Sequence, residues 1–137
     1  RLPADTPQIE TVLAADELVV RIRVPATPLG RASTYHKVRD RESFAFATVA
    51  CAAAVLVENG VVRDARIALG GVATKPWRAL VAERSLLDEP LTRETAERAG
   101  RLAFADAQPL KANAFKMSLG PKTVATSLMI AKERGEK

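Results

Sequence analysis

Cysteine and histidine occur once each in this chain, as Cys51 and His36. One cysteine excludes an internal disulfide. One of each excludes a histidine–cysteine zinc cluster, and a cysteine-ligated iron–sulfur centre within the chain is excluded too. Set among alanines in "ATVACAAAV", Cys51 reads as a small buried hydrophobe rather than a reactive thiol. A catalytic triad would have to use His36, whose neighbours Lys37 and Arg39 are bases and not the orienting acid a triad needs. His36 reads instead as a strand or loop residue facing solvent or a domain interface. Nucleophile elbow, P-loop and dinucleotide fingerprint are all missing. No apolar run approaches the roughly 20 residues that span a bilayer. The opening "RLPADTPQIE" does not read as a secretory signal and looks like the middle of a longer polypeptide.

What is present is an ordinary globular composition: 137 residues, 47% apolar and 27% charged. That length fits one domain with one modest core. The formal charge of +5 permits nucleic-acid binding but does not argue for it. Basic residues are interleaved with acids, as in "RDRE" and "RETAER", and no basic block or RNA-binding signature appears. We therefore expect no nucleic-acid partner and no membrane partner.

"ELVVRIRVP" (Glu17–Pro25) places Val20, Ile22 and Val24 on one side and Arg21 and Arg23 on the other, the period of a half-buried strand. "ATPLGRAS" is a loop. Two apolar runs flank Asn59-Gly60, a strong hairpin signal because the tight turn needs positive φ at both central residues. Ala45–Val57 and Val61–Leu69 thus read as an antiparallel pair, with a helix as the alternative for the alanine-rich first run. Gly70-Gly71 marks a tight bend or a close approach to the backbone.

Pro76 suits the first turn of a helix carrying Ala79, Leu80, Ala82, Leu86 and Leu87. Thr92 is a fair N-cap for a second helix with a stripe at Ala96, Ala99, Leu102, Ala103 and Ala107; Thr95 in place of Glu or Gln means no full capping box. "PLKANAFKMSLG" reads as a polar loop. A last helix starts at Pro121, shows Val124, Leu128 and Ala131 on one face, and ends in Lys132, Arg134 and Gly135. The pattern is α+β: an antiparallel sheet, built from the long hairpin plus further strands, with three helices packed on one face. Residues 1–137 form a single domain. Within it 1–30 are a bridging segment and first strand, 31–75 the sheet, and 76–137 mainly helical.

"TYHKVRDRESFAF" is the segment with chemical character. Tyr35, Lys37, Arg39 and Arg41 share one face of an extended chain. That face is either a solvated strand face or a clamp for an anionic or electron-rich ligand. Phe44 and Phe46, two apart, are by pattern most simply core. Trp77 either covers the end of the sheet or lines an interface.

"YHKVRDRESFAFATVACAAAVLVENGVVRDARIALGGVATKPWRALVAE" and the later "NAFKMSL" resemble the C-terminal domain of the FAD-binding medium subunit of molybdenum hydroxylases. That family comprises the xanthine dehydrogenases, aldehyde oxidoreductases and carbon monoxide dehydrogenases. The likeness runs over nearly the whole chain. It implies an α+β sheet with three helices that forms the C-terminal half of a larger subunit, closes over the flavin ring and docks other subunits. It implies FAD, shared with an N-terminal FAD-binding domain. It also implies an iron–sulfur subunit and a molybdenum subunit, holding the iron–sulfur clusters and the molybdenum cofactor, in a cytoplasmic heterotrimer (periplasmic for some members). Electrons would pass from molybdenum through iron–sulfur clusters to FAD. The positions matching the family's flavin contacts are Lys37, Phe46 and Arg63, with Tyr35 and Arg39 in support; no catalytic or metal residue is implied. Arg63 stands where similar proteins often have lysine. The family's glycine-rich FAD loops are not in this chain, so by itself it should bind FAD weakly or not at all. The alternative is a free-standing interaction module of the same fold that has lost the cofactor.

Overall fold

The computed structural model describes residues 5, 6, 8, 9 and 11–137. After a short 3-10 turn at Pro28–Gly30, the strands β1 (Ser33–Val38), β2 (Val49–Glu58), β3 (Val61–Gly70) and β4 (Trp77–Arg78) form one antiparallel sheet in sequence order. Helices α1 (Leu80–Arg84), α2 (Arg93–Ala103) and α3 (Lys116–Gly135) follow.

The hairpin forms as its turn dictates. Asn59 and Gly60 both have positive φ, 52° and 81°, the left-handed pair that a two-residue hairpin turn requires. The run from Ala50 to Ala54 is alanine-rich, yet it forms a strand and not the alternative helix. Its position between β1 and β3 satisfies the backbone on both edges, and pairing overrides alanine's helix preference. The strand begins at Val49, four residues later than the pattern predicts. The ladder towards β1 closes with the Thr48 amide donating to the Val38 carbonyl at 2.8 Å, and the chain before it is loop.

The core lies between the sheet and the helices. Cys51, Ala53 and Val55 of β2 and Ala65, Ile67 and Leu69 of β3 meet Ala82 and Leu86, then Ala96, Ala99 and Ala103 of α2, and Val124, Leu128 and Ala131 of α3. Small residues on both sides let the helix layer approach closely. The opposite sheet face, with Ala52, Ala54, Arg66 and Ala68, stays partly open to solvent. Glu83 is the buried acid of this core. It accepts the Ile67 amide at 2.7 Å and both guanidinium arms of Arg78, so one carboxylate ties α1 to β3 and β4. That hydrogen bond raises the pKa of Arg78.

Four expectations change. The strand Glu17–Pro25 does not form: these residues carry no regular structure and Val20, Ile22 and Val24 are exposed, because among the described residues no strand lies beside them to complete a ladder. The bridging segment before it includes residues 1–4, 7 and 10, which lie outside the described ones. Pro76 does not open a helix. Trp77 and Arg78 pair with Leu69 and Ala68 first, the Ala79 amide donates to the Ile67 carbonyl at 2.9 Å, and α1 starts at Leu80. Thr92 caps α2 as expected, but the reciprocal half of the box is also present. The Thr95 hydroxyl accepts the Thr92 amide at 2.9 Å, doing with a short side chain what Glu or Gln does with a longer one. Finally, α3 begins at Lys116, so Pro121 lies inside it. As the sixth residue of the helix, Pro121 lies past the first four amides that have no intrahelical partner, so it removes one amide hydrogen bond from the ladder.

Candidate functional site

Three connections meet at one end of the sheet: the β1–β2 loop (39–48), the β3–β4 loop (71–76) and the α2–α3 loop (104–115). Gly71 lets the first two touch. Its φ is +74°, and a Cβ there would stand 2.7 Å from the Ala47 carbonyl oxygen and 3.1 Å from that of Thr48, so only glycine fits. The third connection is tied in by Lys116, whose Nζ donates to the Gly71 carbonyl at 2.6 Å. The segments "TYHKVRDRESFAF", "GGVATKPW" and "NAFK", distant in the chain, are thereby brought together.

This end holds the chain's few aromatic residues. Tyr35 and Lys37 lie two apart on β1, on the sheet face away from the helices. Lys37 is paired with Ala50, which is paired in turn with Gly70 at the rim. Tyr35 is 66% exposed; Lys37 and Arg39 are exposed too. Phe44 and Phe46 are not core, contrary to the pattern: they are 94% and 99% exposed, because β2 starts only after them and their loop stands off the sheet. Phe44 has φ +49°, and Arg41 donates from Nε at 3.2 Å and from a second guanidinium nitrogen to its carbonyl. Phe115 is half exposed. Beneath the loops Trp77 and Phe104 line a small cavity with Leu69, Val72 and Met117, so Trp77 packs as expected at the end of the sheet. Lys37, Arg39, Arg41, Lys75, Lys111 and Lys116 outnumber Asp40, Glu42 and Asp106 in and beside the three connections. Exposed aromatic faces beside amine and guanidinium donors suit a flat, electron-rich or anionic ligand.

Of the residues singled out in the sequence, Tyr35, Lys37, Arg39 and Phe46 are gathered at this end. Arg63 is not among them. It lies seven residues from Gly70 along β3 (63 to 70), about 23 Å at ~3.3 Å per residue, near the hairpin turn. The pairing of β2 with β3 skips it, passing from Leu56–Asp64 to Val57–Val62, and its guanidinium is ion-paired with Asp88. His36 is half-buried, paired across the ladder with Cys51 and away from Lys37's face. Phe44 and Lys116 are the members that sequence reasoning did not place; Arg41, read on the clamp face, instead turns its guanidinium to the Phe44 carbonyl. The signal for Phe44 was the scarcity of aromatics; Lys116 had none before the fold closed its loop. Cys51 is fully buried, and burial pushes its thiol pKa up to about 11 against the opposing effect of its hydrogen bond with Ser127. Among the described residues no group of His, Cys, Asp and Glu could hold a metal ion.

The sheet, with its helices segregated to one face and its ligand-type loops at one end, belongs to the α+β class. Residues 33–127 match the model of the CO dehydrogenase flavoprotein C-terminal domain, and the chain belongs to that family. It is 41% identical over 130 residues to the aldehyde oxidoreductase FAD-binding subunit PaoB of Escherichia coli (strain K12), a match covering 95% of this chain and 37% of PaoB. It is 33% identical over 99 residues to the carbon monoxide dehydrogenase medium chain of Hydrogenophaga pseudoflava, covering 72% of this chain and 34% of that one. Among solved structures, the carbon monoxide dehydrogenase of Hydrogenophaga pseudoflava superposes with a TM-score of 0.72 at 31% identity, over 81% of this chain and 40% of that chain. The reconstituted CO dehydrogenase from Oligotropha carboxidovorans gives 0.72 at 25% identity over the same shares. The chain thus spans little more than a third of the length of the curated relatives it matches. The fold and family expected from the sequence are both met.

Proposed function

We propose that this chain is the flavin-covering domain of the FAD-binding subunit of a molybdenum-containing oxidoreductase of the aldehyde or xanthine type. It closes over the isoalloxazine ring and docks the iron–sulfur and molybdenum subunits. The observation that carries this reading is that Tyr35 and Lys37 share one exposed face of β1 and lead into an exposed loop that carries Arg39 and Phe46, in a chain whose relatives are FAD-binding subunits. When bound, FAD would accept electrons arriving from the partner subunits and hand them to an external acceptor.

The residues suit that group. Phe46 supplies an apolar flat surface against the ring, and Tyr35 a second one with a hydroxyl at its tip. Lys37 would offer a positive charge to bound flavin, which would favour the anionic reduced form and raise the reduction potential. Arg39 adds to the same field from the end of β1. Arg63, about 23 Å along the strand, stays outside this cluster. The remaining cofactor contacts belong to an N-terminal FAD-binding domain, so the site is shared. The chain contributes flavin environment and assembly rather than a reaction of its own.

Co-expression with the FAD-binding portion encoded alongside it tests the reading. A yellow complex with a flavin spectrum is expected. A colourless complex, with the partner itself folded, overturns the reading and leaves the interaction module without cofactor. In the yellow complex Lys37→Ala is expected to weaken flavin retention or lower the flavin's reduction potential; unchanged values remove Lys37 from the site.

A further inference from the structure

Phe44 combines three features that nothing above explains. It is a side-chain-bearing residue at φ +49°, a region that a Cβ disfavours. Its ring is almost wholly in water, two positions from another exposed ring, whereas the same end of the fold buries Phe104. Leaving large apolar rings in solvent is unfavourable when a core lies within reach. And its carbonyl is gripped by Arg41 through two guanidinium donors. The direction of a residue's carbonyl is set by its ψ, so the two-pronged grip fixes the peptide plane that follows Phe44. Arg41 does this although Asp40 and Glu42 are its sequence neighbours, and no ion pair among the described residues uses it. A guanidinium engaged with a neutral carbonyl in an exposed loop is shaping that loop, since an exposed charge gains little from such a bond beyond the geometry it imposes.

We propose that Phe44 is a second aromatic contact of the flavin site and that Arg41 is the positioning residue that presents it. This rests on the flavin reading above. Arg41 holds the β1–β2 loop in a disfavoured conformation that leaves the Phe44 ring in solvent two positions from the exposed Phe46 ring, so the loop that follows Lys37 and Arg39 offers two ring surfaces. The strain is a property of the ligand-ready shape: a relaxed Phe44 would turn its ring elsewhere.

The test uses the complex of the chain with the FAD-binding portion, and reads flavin affinity, the flavin's visible absorption band, its reduction potential and the thermal midpoint. Phe44→Leu keeps an apolar side chain but removes the π face. It is expected to weaken flavin binding about threefold to tenfold, the worth of one aromatic contact, and to shift the absorption band. Phe44→Gly relieves the left-handed strain, so the thermal midpoint of the flavin-free complex holds or rises while flavin binding falls by the same factor or more. A purely structural role would move both downward together. Arg41→Gln is expected to weaken flavin binding in the same range. Arg41→Lys should recover part of the loss, and Arg41→Gln should add nothing to Phe44→Gly because Arg41 acts through residue 44. Wild-type affinity, band and potential in both Phe44 variants, in a complex where Lys37→Ala loses flavin, would overturn this inference and leave the flavin reading standing. Loss of partner binding with flavin properties intact in whatever complex remains would also overturn it, marking Phe44 as a protein contact. A wild-type complex without flavin overturns both.

Discussion

Cys51 sits at the middle of the sheet, under α3, where its thiol hydrogen-bonds with Ser127. Its burial has a consequence that can be measured. The folded pKa is about 11, against 9.0 for the unperturbed thiol. Below pH ~9 both folded and unfolded chains keep the proton, and stability does not depend on this group. Between the two values the unfolded chain ionises while the folded one stays protonated, so stability falls as pH rises. The loss is roughly 2 kcal/mol by pH 10.5. Urea unfolding of wild type and Cys51→Ala at pH 8 and pH 10.5 checks this. At pH 8 the variant is less stable because it leaves a small void, and by pH 10.5 its deficit relative to wild type should have shrunk by about that amount. Equal pH dependence in the two proteins would mean that the thiol is hydrated. The same burial keeps Cys51 unreactive towards thiol reagents until the chain unfolds.

At the scale of elements, the packing of α2 on α3 depends on Gly100. A Cβ there would overlap the backbone carbonyl of Pro121, and neither helix backbone can give way locally. Gly100→Ala is expected to destabilise the fold by about 2–3 kcal/mol through overpacking, even though alanine is the better helix former. Gly30→Ala, where a Cβ would meet nothing within 4 Å, should lie within about 0.5 kcal/mol of wild type in the same thermal unfolding experiment. This pair of helices also shows what the sequence does and does not disclose. Of the two stripes visible from spacing, Ala96, Ala99 and Ala103 and then Val124, Leu128 and Ala131 lie in the core, while Leu102 and Ala107 are only partly buried and Ala107 falls beyond the end of α2. The hairpin is visible because Asn59-Gly60 encodes its turn locally. The start of α3 is hidden because Pro121 is a stronger local signal than the five residues before it, whose helical state is held by tertiary contacts such as that of Lys116 with Gly71. β4 is hidden for a related reason: two residues have no periodicity, and only pairing with Ala68 and Leu69 makes them a strand. At the site, the alternation of Tyr35 and Lys37 gave their common face correctly. Phe44 and Phe46 were misplaced into the core, since hydrophobicity says that a ring avoids water and not which surface will cover it.

The molecule as a whole divides its labour along the strand direction and along the chain. One core between sheet and helices makes it stable, while its exposed aromatics and extra basic charge are kept at one end. Residues 17–25 take part in neither. Val20, Ile22 and Val24 are each more than 80% exposed and alternate with Arg21 and Arg23, so the segment has the pattern of a half-buried strand without a sheet. The match to PaoB takes in 130 of this chain's 137 residues, whereas the domain model begins only at residue 33; most of the segment therefore has a counterpart in that subunit outside the C-terminal domain. On the proposed reading this apolar row would meet a sheet edge in the FAD-binding portion, which would supply the missing ladder and cover one face. Ile22→Asp separates the two roles. The side chain touches no core, so the unfolding free energy of the chain alone should stay within about 0.5 kcal/mol of wild type. Binding to the FAD-binding portion should weaken at least tenfold, because a carboxylate would have to enter an apolar interface. Arg21→Asp, on the other side of the same stretch, should change binding much less. Equal effects of the two substitutions, or none, would show that the segment joins the complex as a linker and not as a strand.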